Sequence, residues 1–322
     1  MRAHAIICCM SNEAISVLLL HTAAPLKCAD VAAWWPRYRA IAAATPKPFE
    51  RAIRGGAEAD RLGWAFASGY QAALRALDPS LPDDAIAAFC VTEADGNFPR
   101  AIRTTLAPQG EGYVISGDKR WTTLGPGGGL FVVIAREAGA NEERPTLKAV
   151  RVASGTPGLI VEPMPPASFV PEVPHARVRL ERVQVAASAV LEGDGYTRYV
   201  KPFRTIEDIH VHAASIAYLV SEARRRSWPQ AWVGRALMLL HVLAGLAELE
   251  PLASETHVAL AAALDLGEEL VSDADSHWSK AGNDPAAQRW VRDRKLFGVA
   301  GKARVQRLSA AWARLDVTPS TA

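Results

Sequence analysis

Two short polar segments hold the residues whose types and spacing could do chemistry. Ala88-Phe-Cys-Val-Thr-Glu-Ala94 is an apolar run that stops on Thr92 and Glu93. Gly117-Asp-Lys-Arg-Trp-Thr-Thr-Leu-Gly125 delivers Trp121 beside the hydroxyls of Thr122 and Thr123, ahead of a Gly-Pro-Gly-Gly-Gly turn at 125–129. Both read as strand ends running into polar turns, the second after the alternating run Tyr113-Val-Ile115. One broad aromatic face with several small hydrogen-bonding groups around it suits a flat ring with a polar edge. An isoalloxazine is such a ring.

A sheet must hold these segments. Alternating, β-branched stretches at 112–117, 131–136, 147–152, 159–162 and 176–185 recur at short spacing with turns between, which predicts a small antiparallel barrel or sandwich. Pro163-Met-Pro-Pro166 and the stretch from Pro171 to Pro174 fall to loop, because proline cannot donate to a ladder. Around this zone the pattern is helical, so the fold class is α+β. Residues 1–85 are Ala-rich with turn punctuation at Thr45-Pro-Lys-Pro48 and Asp78-Pro-Ser-Leu-Pro82 and form an N-terminal helical domain, 86–198 form the β domain, and 199–322 a C-terminal bundle of four helices.

The bundle opens with Thr205 as an N-cap, and Ile206, Ile209, Ala213, Ile216 and Val220 share one face. Arg224-Arg-Arg226 closes that helix before Trp228-Pro229. Further helices run over 230–249 and 254–280, and a last one from Asp284-Pro285 to 315. Leu239, Val242, Leu260, Leu264, Leu270 and Val291 are expected in the core, and Gly298 and Gly301 imply a close helix crossing.

Composition excludes more than it assigns. A chain of 322 residues exceeds what one growing core serves and implies two or three subdomains. With 49% apolar and 22% charged residues it is an ordinary globular mixture, and a net charge of +2 gives no ground for nucleic-acid binding. No apolar run approaches a membrane span: Ile15-Ser-Val-Leu-Leu-Leu20 is short, with Asn12 and Glu13 interrupting any leader core, so the cytoplasm is expected. The four cysteines, Cys8, Cys9, Cys28 and Cys90, lack metal-ligand spacing and are expected as reduced thiols, Cys90 as a packing residue. His210 and His212, two apart, do not share a helix face, so no metal site is built on them and buried, hydrogen-bonded rings are expected.

The central zone resembles the acyl-CoA dehydrogenase family of flavoproteins. Cys90-Val-Thr-Glu93 and Gly117-Asp-Lys-Arg-Trp-Thr-Thr123 are similar to that family's Cys-Val-Thr-Glu-Pro and Gly-x-Lys-x-Trp-[Ile/Val]-[Thr/Ser] segments. Phe131-Val-Val-Ile-Ala-Arg136 resembles the strand after the Trp motif, and Val178 through Val185 with Val190-Leu-Glu-Gly193 the closing strand. The resemblance is specific across 86–198 and looser outside. It implies a helical, β-barrel, helical domain order, bound FAD, and α,β-desaturation of an acyl-CoA or related thioester by proton abstraction and hydride transfer to flavin N5. It also implies a homo-oligomer, dimer or tetramer, or a partner flavoprotein. On this resemblance Thr92 and Thr123 bond the flavin edge, with Thr122 beside them, Trp121 covers the ring, and Phe89 and Val91 supply backbone contacts.

Relatives take the catalytic base from one of two places. Near the C-terminus, the run Arg292-Asp293 to Lys302 aligns Ala300 or Gly301 with the family's Glu, and neither takes a proton. At the first bundle helix, Glu207 and Asp208 precede Ala213-Ala214, and either carboxylate fills the role; both also favour a positive helix N-terminus. Other departures accumulate. Ala94-Asp-Gly-Asn-Phe-Pro99 replaces an Ala-Gly-Ser-Asp turn, the prolines after 163 replace a Gly-x-Arg turn, and the family's Arg-x-x-Phe-Gly run is absent, with Arg224, Arg225 or Arg226 as substitutes for its phosphate contact. Arg289, Arg292, Arg294, Lys295, Lys302, Arg304 and Arg307 form a basic run that receives a CoA moiety or is simply solvated. Three functions follow: an FAD-dependent dehydrogenase, a catalytically silent partner or binding subunit, and a flavin-dependent oxygenase or oxidase.

Overall fold

The computed structural model describes residues 13–20, 25, 27–141 and 143–315. Chain contacts divide it into two compact units: a helical one from residues up to Cys28, Ala40–Ala76 and from Thr205 onward, and a sheet one from Ala29–Arg39 and Leu77–Arg204.

In the sheet unit the alternating segments become β1 (Ala87–Cys90), β2 (Thr105–Gln109), β3 (Gly112–Thr123), β4 (Leu130–Glu137), β5 (Leu147–Ala153), β6 (Leu159–Pro163) and β7 (His175–Ala186). They form one curled sheet in the order β1-β4-β2-β3-β7-β6, with β5 also on β4. β1 and then β2 run parallel to successive parts of β4, and the other pairs are antiparallel. Its concave side is packed by Cys90, Leu106, Ile115, Phe131, Val133 and Val178, among others, which is the period-2 half of each strand. β2 has no counterpart in the sequence expectation because it is short and carries Pro108. That proline is tolerated because it lies beyond Leu106, where the pairing with β4 stops. β3 is longer than the 112–117 expected, so Trp121, Thr122 and Thr123 lie on the strand itself. Gly117 is required on it, since a Cβ there would overlap Thr104.

Helices flank the sheet segment on both sides in the sequence. α1 (Glu13–Leu20), α2 (Val31–Ala44), α3 (Pro48–Glu58) and α4 (Leu62–Leu77) precede the sheet; α5 (Lys201–Arg225), α6 (Gln230–Ala247), α7 (Ser254–Ser279), α8 (Pro285–Asp293) and α9 (Gly301–Leu315) come after it. α3 and α4 pack on α5 through glycine. A Cβ on Gly56 would overlap the Ala214 carbonyl, and one on Gly69 would sit 2.7 Å from Val211 Cα. The Ala213-Ala214 pair is thus a crossing point, and Ala213, Ala214, Ile216 and Val220 are all buried.

Several expectations need correction. α5 begins at Lys201, so Thr205 is an interior helix residue, its hydroxyl 3.3 Å from His257 Nε2, and not a cap. The C-terminal helix is broken into α8 and α9 by a tight turn at Arg294–Gly298, with Ala300 at φ +66°. Space around Gly298 and Gly301 is open, so they accommodate the break and not a crossing. Leu239, Leu260, Leu264 and Leu270 are buried, but Val242 and Val291 are 43% and 67% exposed, because each faces away from the seam its neighbours fill. α6, at 18 residues and mean hydropathy 1.3, is long and apolar enough by length and composition to cross a membrane, with 33% of it buried. Cys8 and Cys9 lie outside the described residues, whereas Cys28 and Cys90 are buried free thiols.

Candidate functional site

β1 ends at Cys90, and the chain turns back on itself through paired hydrogen bonds between Glu93 and Gly96. The turn drives the Glu93 side chain inward. Its carboxylate accepts from the Arg103 amide (2.7 Å), the Thr104 amide (3.0 Å), the Thr104 hydroxyl (2.8 Å) and Lys119 Nζ (2.6 Å). Lys119 has no solvent exposure and also donates to the Val91 carbonyl at 3.2 Å. Burial pushes its pKa down, and Glu93 opposes that shift. The sequence motifs assign neither residue a role. The available signal was charge in the wrong place: Lys119 sits on the inward parity of an otherwise apolar strand, and Glu93 ends the other apolar run.

Just past Lys119, β3 loses register with β7 before Thr122. Such a bulge re-aims a side chain. Trp121, inside it, adopts φ +57°, its amide donates to Met164 Sδ at 3.4 Å, and the residue is 55% exposed with the His175 ring edge-on at 6.0 Å. A large aromatic held outward in a strained backbone points to a binding role. Thr123 lies on the same side and is half-buried, as is Thr92, whose carbonyl accepts from the Arg120 amide at 2.8 Å.

The side chains of the other expected contact residues turn inward. Thr122 is buried and its hydroxyl donates to Cys90 Sγ at 3.6 Å, so its side chain serves the core; burial pushes the Cys90 thiol up to about 12 and makes it inert. Phe89 is buried edge-on to Phe203 at 5.0 Å, and the carbonyl of Val91 is taken by Lys119. What faces outward is therefore one indole face and two threonines, Thr92 and Thr123. That donor set fits the face and edge of an isoalloxazine ring.

Asp208 is buried in α5 and both its oxygens are occupied: Oδ1 accepts from Arg304 at 3.0 and 2.7 Å, Oδ2 from Arg307 at 2.6 Å. Burial alone would raise its pKa, but Arg304, His212 and Arg307 together hold the carboxyl below its ordinary value. Glu207, one position earlier, is half-buried. His210 and His212 are buried, with Nδ1–H donating to the carbonyls of Ile206 and Asp208 at 2.8 Å, and burial lowers each pKa to about 4. Among the described residues no group of three or more His, Cys, Asp or Glu side chains could hold a metal.

The arginines considered for phosphate are engaged within the fold. Arg224 donates to the Leu18 carbonyl, Arg225 and Arg226 pair with Glu222, and Arg226 also pairs with Asp284. Much of the basic run is likewise paired: Arg292 with Asp293, Arg294 with Asp275, and Arg289 with the Asp60 carbonyl. A cleft of about 420 Å³ in the sheet unit is lined by Phe98, Arg100, Glu143, Arg144, Asp194 and Tyr196, with others. Its walls offer two aromatic rings, two guanidinium groups and two carboxylates.

Residues 88–183, which span both motifs and the buried Glu93–Lys119 pair, match the middle domain of acyl-CoA dehydrogenase. This segment carries an acyl-CoA dehydrogenase middle domain. Its similarity to probable acyl-CoA dehydrogenase FadE10 of Mycobacterium tuberculosis is 34% identity over 122 residues, 36% of this chain but 19% of that protein. Benzylmalonyl-CoA dehydrogenase of Aromatoleum aromaticum is 32% identical over 153 residues, 46% of this chain and 39% of the relative. The matches thus span well under half of these relatives. Butyryl-CoA dehydrogenase from Megasphaera elsdenii shares the fold at TM-score 0.69, covering 88% of this chain and 90% of that one at 14% identity.

Proposed function

We propose that the chain is a flavin-dependent oxidoreductase that desaturates an acyl thioester, with FAD held by Trp121, Thr92 and Thr123. The single observation that carries this reading is Trp121: a strained, outward-facing indole flanked by two part-exposed threonines. Trp121 covers one face of the ring, and the threonine hydroxyls or amides donate to its polar edge. The flavin, when bound, supplies the hydride acceptor.

The chain's own chemistry is proton removal. The α-proton of a thioester is weakly acidic, so a carboxylate must be placed to take it. Asp208 is tied to Arg304 and Arg307 with its carboxyl held below the ordinary value, so the base proposed is Glu207, the longer of the two side chains. In the cleft, the Phe98 and Tyr196 rings suit a ring-bearing part of the ligand, while Arg100 and Arg144 are offset by Glu143 and Asp194.

A specific observation favours the silent-subunit alternative: one candidate base is committed to two arginines, and the arginines suggested for phosphate are paired inside the fold. Freshly purified protein separates the readings. Bound yellow flavin that bleaches anaerobically on addition of an acyl-CoA supports the dehydrogenase. Colour with oxygen consumption on a non-thioester supports an oxidase, and failure to bind added FAD supports the silent subunit.

A further inference from the structure

We propose that Lys119 is a positioning residue, whose buried ammonium fixes Thr92 relative to Trp121 so that the ring edge exists before any flavin arrives. The inference rests on the flavin reading for its purpose, but its geometry stands apart. Lys119 Nζ lies 2.6 Å from Glu93 Oε1 and 3.2 Å from the Val91 carbonyl, the two residues that flank Thr92. The next amide, Arg120, donates to the Thr92 carbonyl at 2.8 Å. Two consecutive residues of β3 thus grip three consecutive residues at the end of β1. Lys119 is also the last residue paired with β7, opposite Val178, before the bulge that turns Trp121 outward. One side chain therefore anchors the start of the bulge and the loop that faces it.

Stability does not explain the choice. Glu93 has three further donors from Arg103 and Thr104, and a fully buried lysine is a costly partner where an apolar pair of similar volume usually serves as well or better. What an apolar pair would lack is a donor for the Val91 carbonyl and a fixed register between the two segments. Directional contacts at both neighbours of Thr92 supply that register.

The test is the double variant Lys119→Met with Glu93→Gln, which removes both charges and keeps approximate volume. Thermal midpoint, FAD and riboflavin titration, and the Trp121 contribution to fluorescence anisotropy are measured, the last as the difference from matched Trp121→Phe proteins. Positioning predicts, in a folded double variant, flavin affinity lowered at least tenfold for both ligands and lower Trp121 anisotropy without any flavin, whatever the shift in thermal midpoint. Parent-like affinity and anisotropy in a folded double variant overturn the proposal. If the parent itself binds no flavin, the flavin reading fails and the anisotropy alone decides the role of Lys119. Should the double variant not fold, hydrogen exchange on the parent decides: slow exchange at the Arg120 amide, matching the strand interior, supports the grip, and exchange as fast as an exposed turn contradicts it.

Discussion

The end of β3 and the second turn of α5 each carry buried charge, and they use it in opposite ways. At the sheet, the charges of Glu93 and Lys119 neutralise one another beneath the surface and leave Thr92, Trp121 and Thr123 outward. On α5, the charge of Asp208 is itself neutralised, by Arg304 and Arg307 reaching back from α9. The first arrangement presents a surface; the second ties a helix down. A carboxylate in a family-like position is therefore not yet a base, and its partners decide which it is.

The sharpest way to break this contrast is Glu207→Gln. If Glu207 is the base, turnover falls roughly 10²- to 10⁴-fold while flavin content is unchanged, as read by single-turnover flavin reduction with an acyl-CoA. Retained activity would remove Glu207 from the mechanism. Next in size, Asp208→Asn strands two arginines in a mostly buried site and costs about 3 kcal/mol of unfolding free energy in urea titration. Turnover per folded molecule stays near the parent value. Loss of activity with stability intact would reverse the assignments of the two carboxylates.

Acid offers an intermediate effect. His210 and His212 have folded pKa values near 4 against an unfolded value of 6.5, so below pH 6.5 the unfolded chain takes up protons first. The stability present above pH 6.5 is lost as pH falls toward 4, by up to about 1.4 kcal/mol per pH unit for each histidine. The depressed carboxyl of Asp208 acts in a separate window, its contribution being lost only below the ordinary carboxylate value. Denaturation curves at pH 7 and pH 5 check this: a flat profile would mean that the rings are not sealed. Smallest is Thr123→Val, with flavin affinity weakened by about 1 kcal/mol for one lost hydrogen bond; an unaltered affinity and flavin spectrum would remove that contact.

Much of the fold was legible because it follows from periodicity. The strands at 131–136, 147–152 and 176–185 and the helices over 230–249 and 254–280 appear within a residue or two of their expected bounds. Where the sequence misled, local signals competed with tertiary ones. Thr205 looks like a cap, yet α5 starts four residues earlier because a wide helical turn at Tyr196–Val200 runs straight into Lys201. Gly298 and Gly301 look like a crossing and prove to be a break, since no spacing rule distinguishes them. At the candidate site, Trp121 and Thr123 stand out by their motif, but the inward turn of Thr122 depends on a bulge of β3 against β7, a long-range pairing. The arginine clamp on Asp208 joins residues far apart in the chain and could not be read at all.

The measurement closest to the central claim is a flavin titration of the flavin-free chain beside its Trp121→Ala variant. An outward indole that covers an isoalloxazine predicts saturable FAD binding with quenching of Trp121 fluorescence in the parent, and affinity at least tenfold weaker in the variant. Equal affinity in the two proteins, or no saturable binding in the parent, would contradict it.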